Sequence, residues 1–135
     1  MKKFIPLKEL EVYKLARELS KEAWVTYSKL SWQDKKIAGD QFMRAIDSIG
    51  ANIAEGYLRF HYLDKIKFYY VARASLSEGC DHWLELLCER GKVREEKYIK
   101  MKEVSKKLAV KLNNFINSTY NSNSSKRYDK EGKNN

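Results

Sequence analysis

The sequence predicts an all-α fold, an antiparallel up-down-up-down four-helix bundle, and three observations lead to it. In four segments of about 20 or more residues, apolar side chains recur every three or four positions, which is the spacing of one helix face. The connections between these segments are short, so consecutive helices run antiparallel. The chain of 135 residues has one proline and six glycines, too few breakers for an all-β protein.

Local signals place the boundaries of the predicted elements. Ser31, followed three residues later by Asp34, is a variant of the capping box that starts a helix. Gly56 is placed to end the second helix in the left-handed cap conformation, and Gly91 to end the third. Pro6 favours an extended lead-in. The predicted segments are a lead-in at 1–7, a bundle at 8–120 with helices at about 8–29, 32–56, 62–90 and 94–120, and a disordered tail at 121–135.

Each predicted helix carries one line of core residues at helical spacing. The lines are Val12, Ala16, Leu19, Ala23, Tyr27 and Leu30 in the first helix; Ala38, Phe42, Ile46, Ile49, Ile53 and Gly56 in the second; Tyr69, Ala72, Leu76, Cys80, Trp83 and Leu87 in the third; and Met101, Ser105, Leu108, Leu112, Phe115 and Thr119 in the fourth.

Two apolar features exceed what one bundle core requires. The apolar arc of the third helix, widened by residues such as Ile66 and Leu84, covers more than half of the helix circumference. Tyr13 and Trp24 lie on a flank of the first helix that does not face the core. Since exposed apolar patches of this size mark interfaces, we expect a homo-oligomer.

The composition indicates a cytoplasmic protein. No apolar run approaches the roughly 20 residues of a membrane span, and the first residues lack the apolar segment of a signal peptide. Cys80 and Cys88, eight residues apart on one helix, would lie about 12 Å from each other, too far to form a disulfide. We interpret both as packing cysteines.

The net charge of +9 is concentrated in the first and last helices. Residues 1–30 have a net charge of +3 and residues 92–120 of +5. The two helices are neighbours in the predicted bundle, so their basic outer faces are expected to merge into one side. The candidate contacts for RNA or DNA on this side are Lys14, Arg17, Lys21, Lys100, Lys107 and Lys111.

Phosphate contact needs charge and no motif, which favours nucleic-acid binding by this side. Glutamates such as Glu18 and Glu22 interrupt it, however, and lysine-rich outer faces are common on helical proteins. No aromatic stacking platform is visible in the sequence. Nucleic-acid contact and a merely solvated basic face therefore both remain open.

A line of polar residues borders the apolar face of the second helix, and two more occupy the third. Most are short and capable of hydrogen bonding, which suits a boundary between packed helices better than a solvated face. Glu55 and Arg59, four residues apart, are expected to form an ion pair. The polar flank consists of Gln41, Arg44, Ser48, Asn52, Glu55, Arg59, Ser75 and Glu78.

The chain shows no set of residues suited to catalysis. Ser48, Asn52 and Glu55 share one helix face, as do Ser75, Glu78 and His82, but neither set draws a nucleophile, a base and an orienting group from different elements. The only other histidine is His61, and the helical Glu-x-x-His pairs of carboxylate metal bundles are absent. We expect no enzyme activity, cofactor, metal or small-molecule substrate.

The polar flank also carries a family resemblance. The string Gln41-x-x-Arg44-Ala45-x-x-Ser48-Ile49-x-x-Asn52-Ile53-Ala54-Glu55-Gly56 resembles the signature of the bacterial four helix bundle protein family, whose members are often encoded within intervening sequences of 23S ribosomal RNA genes. Supporting matches are Leu10-x-Val12-Tyr13-x-x-Ala16-x-x-Leu19 and Phe68-x-x-x-Ala72-x-x-Ser75-x-x-Glu78. The chain departs from the family pattern at Leu58, His61 and Gly79.

The resemblance implies a four-helix bundle whose biochemical role is unassigned in most members. The accessory protein of diversity-generating retroelements is a relative, and it forms a ring and pairs with a reverse transcriptase. By this resemblance, we expect a closed ring such as a pentamer, with RNA, DNA or a reverse-transcriptase-like protein as partner. The alternative is a structural protein–protein adaptor with no nucleic-acid role.

Overall fold

The structure, a computed structural model, describes the backbone of residues 4–133 and the side chains of residues 4–123. A short 3₁₀ turn, Leu7–Glu9, precedes four long helices in this part of the chain. Helix α1 is Glu11–Ser28; α2 runs through Trp32–Asp34, a π-helical turn Lys35–Gly39 and Asp40–Tyr57; α3 runs through Tyr62–Ser77, a π-helical turn Glu78–Trp83 and Leu84–Glu89; and α4 is Glu95–Lys133.

The helices form the predicted antiparallel bundle, in which each one packs on its neighbours in chain order and α4 closes on α1. The ion pairs between α1 and α4 show that these helices are antiparallel, since the residue numbers rise along α1 while those of their partners fall along α4. Glu11 and Glu22 of α1 meet Lys111 and Lys100 of α4, respectively. The predicted all-α bundle is therefore confirmed.

Helix α4 extends to Lys133, beyond the end predicted near residue 120. The predicted disordered tail, 121–135, falls mostly outside the residues whose side chains are described, and it stays a prediction. No helix within the described residues is both long and apolar enough to cross a membrane.

The predicted core lines are buried, with Tyr27, Trp83, Phe115 and Thr119 only half-buried at the margins. The wide apolar arc of α3 has an explanation within this one chain. Ile66 and Leu84, which widen it, are 2% and 0% exposed because α3 packs on both α2 and α4. The arc is therefore no sign of an interface with another subunit.

Gly56 does not have the predicted left-handed conformation, because α2 continues through it to Tyr57 and ends at Leu58 in a right-handed conformation. Its role is close packing against α3. A Cβ atom at Gly56 would lie 2.8 Å from both Phe68 Cβ and Tyr69 Cε1, and 3.0 Å from the carbonyl oxygen of Lys65. By contrast Gly91, which was predicted to end α3, follows that helix and has φ of 70°, in the left-handed region.

Gly79, a departure from the family pattern, lies in the π-helical turn of α3 and also packs against α2. A Cβ atom there would lie 2.6 Å from Ile46 Cδ1 and 3.5 Å from Ala45 Cβ. The missing side chain of Gly79 therefore leaves room for Ile46, which is completely buried. Gly56 and Gly79 thus bring the two helices together at two levels of the α2–α3 interface.

We expect Gly56→Ala to lower the free energy of unfolding by about 1–3 kcal/mol, because its Cβ would press on the backbone of α3 as well as on two side chains. Gly50→Ala is the matched control. Gly50 lies in the same helix, but its Cβ would meet Ala16 and Tyr13 at 3.7 and 3.8 Å, which is ordinary contact. The control should gain up to about 1 kcal/mol from helix propensity. Urea denaturation of both variants measures the difference, and equal stability would contradict the packing role.

Candidate nucleic-acid interface

The middle of the polar flank is a small hydrogen-bonded cluster between α2 and α3. The hydroxyl group of Ser75 donates to Ser48 Oγ at 3.0 Å, across the interface. The side-chain amide of Asn52 donates to both Ser48 Oγ, at 2.9 Å, and the Ser48 carbonyl oxygen, at 2.8 Å. All three side chains are half-buried. This part of the flank is a helix–helix boundary.

The ends of the flank face solvent. Gln41 and Arg44 are exposed, and so are Glu55 and Arg59, which form the predicted ion pair at 2.5 Å. Glu78 is exposed and accepts a hydrogen bond from the indole nitrogen of Trp83 at 3.3 Å. The flank is therefore structural at its centre, whereas its ends carry surface contacts.

Neither set of polar residues that could suggest catalysis forms such a site in the described residues. The serine hydroxyl groups contact each other, while Glu55 pairs with Arg59. His82 packs edge-on against Trp83, with ring centroids 4.6 Å apart. Within residues 4–123, no group of three or more His, Cys, Asp or Glu side chains is placed to hold a metal ion.

The basic residues of α1 border a groove between α1 and α2. Lys14, Arg17 and Lys21 are exposed, and the Arg17 guanidinium donates to the Tyr13 hydroxyl group at 2.8 Å. The exposed indole of Trp24 continues the same edge and stacks on Tyr27. Tyr13 and Trp24, which the core did not explain in the sequence, thus belong to this groove.

The groove contains carboxylates as well as cations. Asp47 of α2 accepts a hydrogen bond from the Ser20 hydroxyl group of α1. Farther along, the Tyr27 hydroxyl group donates to Asp40 at 2.6 Å, and this bond lowers the pKa of Asp40 below its usual range. Glu18 lies beside the three basic residues of α1. The groove is therefore mixed in charge.

Two of the three candidate lysines of α4 pair with carboxylates of α1. Lys100 Nζ lies 3.0 Å from Glu22 Oε1, and Lys111 Nζ lies 3.0 Å from Glu11 Oε1. Lys107 is exposed and forms no ion pair with a described residue. Acidic residues of α1 thus occupy the edge facing α4, and the basic faces of the two helices do not merge as expected.

Glu22 is the most buried acidic side chain of this boundary, with the residue 9% exposed. Lys97 donates a hydrogen bond to it, and this bond, together with that from Lys100, holds the pKa of the Glu22 carboxyl below its usual range despite the opposing effect of burial. In return, Glu22 raises the pKa of Lys100. One carboxylate therefore binds two ammonium groups of α4.

A feature missed in the sequence is an aromatic cleft at the end of the bundle where α2 meets α3. Its walls include Tyr57, Phe60, Tyr62 and Phe115, and its volume is about 690 Å³. Phe60 is completely exposed. The sequence contained one signal, since the connection after α2 reads Tyr-Leu-Arg-Phe-His-Tyr, an aromatic run where turn residues are usual. Tyr69 and Phe115 join it only through folding, with ring centroids 4.8 Å apart.

Glu22→Gln should lower the free energy of unfolding by about 1–3 kcal/mol at neutral pH, since it removes two charged hydrogen bonds. Because folding lowers the pKa of Glu22, its contribution is present above the ordinary value of 4.5 and is lost as the pH falls through the folded-state value. Urea denaturation at pH 7 and at about pH 3 measures this, with the exposed Glu18→Gln as control. If wild type exceeded Glu22→Gln in free energy of unfolding by the same amount at both pH values, the role of the Glu22 carboxylate would be contradicted.

Comparisons with known proteins agree with this architecture. The family model described as 23S rRNA-intervening sequence protein matches residues 8–114. A crystal structure from Bacteroides thetaiotaomicron, of a protein with unknown function from the S23 ribosomal protein family, superposes with a TM-score of 0.71 at 25% sequence identity, covering 78% of this chain and 97% of that chain. No curated protein matches the chain. The bundle and the motif of α2 thus have one explanation: the chain belongs to the 23S rRNA-intervening sequence protein family.

Proposed function

We propose that this protein is a non-enzymatic, self-associating helical module whose basic surface contacts RNA or DNA. The observation that carries the proposal is the set of exposed cations on α1 and α4 that have no carboxylate partner among the described residues. Lys14, Lys21 and Lys107 are the clearest members of this set. The net charge of +9 supplies the long-range attraction to phosphate.

The family supports this proposal by its setting, since its description connects these proteins with 23S rRNA-intervening sequences. The retroelement relative adds a second route to nucleic acid, through a protein partner such as a reverse transcriptase. The protein's own contact with nucleic acid would not depend on base sequence, because lysine ammonium groups recognise phosphate rather than base edges.

Self-association is proposed through the floor of the groove between α1 and α2, with the exposed Lys14 and Lys21 at its border left for nucleic acid. Its floor holds small residues, Ala16 and Gly50 among them, and Trp24 stands exposed at its edge. An exposed indole beside a shallow groove with mixed charges suits a protein partner. A head-to-tail contact of this kind closes into a ring, such as a pentamer, when successive rotations complete a circle.

An adaptor without a nucleic-acid role is the second candidate, and the ion pairs of α4 favour it. Lys100 and Lys111 are each held by a carboxylate of α1. A cation already paired within the chain gains less from a phosphate, because the internal pair must be broken first. The two candidate functions differ in whether the unpaired lysines bind phosphate.

We expect light scattering to give a molar mass several times 15.9 kDa at micromolar concentration. Trp24→Glu should lower that mass, because it replaces the apolar indole of the contact with a carboxylate that would have to lose its hydration. Trp32→Glu is the matched control, since Trp32 is also exposed but lies outside the groove. A wild-type monomer would remove the claim of self-association, and a dimer would exclude a ring larger than two.

Reversal of three unpaired lysines should weaken binding to labelled RNA and DNA by about tenfold or more and reduce the salt dependence, with a slope of log K against log salt lower by up to about three. The variant is Lys14→Glu/Lys21→Glu/Lys107→Glu, measured by fluorescence anisotropy across a salt titration. Lys100 and Lys111 are left unchanged because a glutamate there would face Glu22 or Glu11 and destabilise the fold.

A control variant with the same change of net charge separates local contact from overall charge. It reverses three other exposed basic residues: Lys67 of α3, Arg90 just after the end of α3, and Lys106 of α4. The control should retain most of the binding. Equal binding by wild type and both variants at low salt, or no binding by wild type, would favour the adaptor instead.

A further inference from the structure

The aromatic cleft has the chemistry of a nucleotide site. Tyr57 at the end of α2, Phe60 in the connection and Tyr62 at the start of α3 present rings, and Phe115 presents a ring from α4. Ser118 of α4 supplies a hydroxyl group beside them. Aromatic faces stack on any nucleobase, and short polar side chains bond its edge or the sugar.

Two of the rings of the cleft, Tyr57 and Tyr62, are held in place by contacts within the chain. The hydroxyl group of Tyr57 donates to the carbonyl oxygen of Ile5 at 2.5 Å, and Phe4 stacks on the Tyr57 ring with centroids 5.7 Å apart. On the other side Tyr62 meets Tyr120 edge-on at 6.5 Å. Rings held in this way lose little entropy when a ligand stacks on them.

The charge of the cleft suits a phosphate. Lys65 lines it, with its ammonium donating to the Tyr57 carbonyl oxygen at 2.7 Å and lying 5.4 Å from the centre of the Tyr57 ring. Among the described residues that line the cleft, none is Asp or Glu. Burial lowers the pKa of Lys65, which indicates that its charge is partly removed from water. A partly desolvated ammonium group attracts phosphate more strongly than a solvated one.

The groove between α1 and α2 does not share this chemistry. Asp40, Asp47 and Glu18 line it among the basic residues of α1, and these carboxylates would repel a phosphate placed inside the groove. The two concave surfaces therefore differ in charge, and the cleft is the one suited to a nucleotide. Its volume of about 690 Å³ is in the range of small-molecule sites, large enough for a base with its sugar and phosphate.

We propose that the aromatic cleft binds an unpaired nucleotide of a single-stranded nucleic acid, the base stacking on the rings that include Phe60 and the adjoining phosphate meeting Lys65. This inference extends the proposed nucleic-acid contact but rests on different residues. The basic surface would hold backbones of any form, whereas the cleft would select strands whose bases are free. RNA and DNA single strands share this chemistry.

The test uses the full-length protein and three fluorescein-labelled probes: an eight-residue oligouridine, the matching oligothymidine and a 12-base-pair RNA duplex. Phe60→Leu keeps an apolar side chain but removes the stacking ring, and Phe60 is so exposed that folding should be unaffected. Ser118→Glu places a carboxylate in the cleft. Asn117→Glu is its control, because Asn117 is adjacent and exposed but does not line the cleft.

We expect Phe60→Leu and Ser118→Glu each to weaken binding of the oligouridine by about tenfold, the order of one lost base–aromatic stack. Duplex binding by both variants should change less than twofold, and Asn117→Glu should behave like wild type on every probe. Equal loss of oligothymidine binding means that neither the sugar nor the methyl group of the base is recognised, and a larger loss for oligouridine means that the cleft favours the RNA strand. Both results support the proposal.

Several results would overturn it. These are unchanged oligouridine binding by both cleft variants, equal weakening by Ser118→Glu and Asn117→Glu, tighter binding of duplex than of single strands, or no single-strand binding by wild type at low salt. A change in molar mass for Ser118→Glu would assign the cleft to subunit contact instead. Failure of the lysine-reversal variant alone to weaken binding removes the basic surface but leaves the cleft, so the two proposals fail separately.

Discussion

The close approach of α2 and α3 is the constraint on which the rest of the bundle depends. Gly56 and Gly79 leave no side chain between the helices at two levels, and Ser48 and Ser75 meet between them through hydroxyl groups. Larger residues at these positions would separate the two helices and break the hydrogen bonds of the cluster. Part of the family motif thus has a mechanical explanation, because Ser48 and Gly56 are positions where α2 touches α3. The same approach places the connection after α2 against α4, where the aromatic cleft forms.

Much of the fold was predictable because the apolar pattern of a bundle helix shows which of its faces is buried. Each core line recurs at helical spacing, and Phe42, Ile46 and Leu108 are completely buried as predicted. The capping role of Ser31 was also local, and its hydroxyl group accepts a hydrogen bond from the backbone nitrogen of Asp34 at 3.1 Å. The ion pair of Glu55 and Arg59 needed only their spacing on one helix.

What the sequence did not predict depends on which residues of different helices meet. A glycine near a helix end suits both a left-handed cap and close packing, and only the position of Phe68 shows which applies at Gly56. The pairing of Glu22 with Lys97 and Lys100 requires the register of α1 against α4. The basic faces therefore seemed continuous in the sequence, although carboxylates separate them in the bundle. The cleft was missed for the same reason, since Tyr57 and Phe115 lie far apart in the chain.

The two cysteines differ in a way that has a practical consequence. Cys80 is completely buried in the core of the bundle, and burial raises the pKa of its thiol to about 11, so it stays protonated and unreactive at neutral pH. Cys88 is only half-buried near the end of α3. That end lies beside the start of α2, where Lys92 pairs with Asp34 at 3.1 Å, and so opposite the aromatic cleft. The native chain thus offers a single attachment point for thiol-directed fluorophores or spin labels, at the opposite end of the bundle from the aromatic cleft, with no engineered cysteine required.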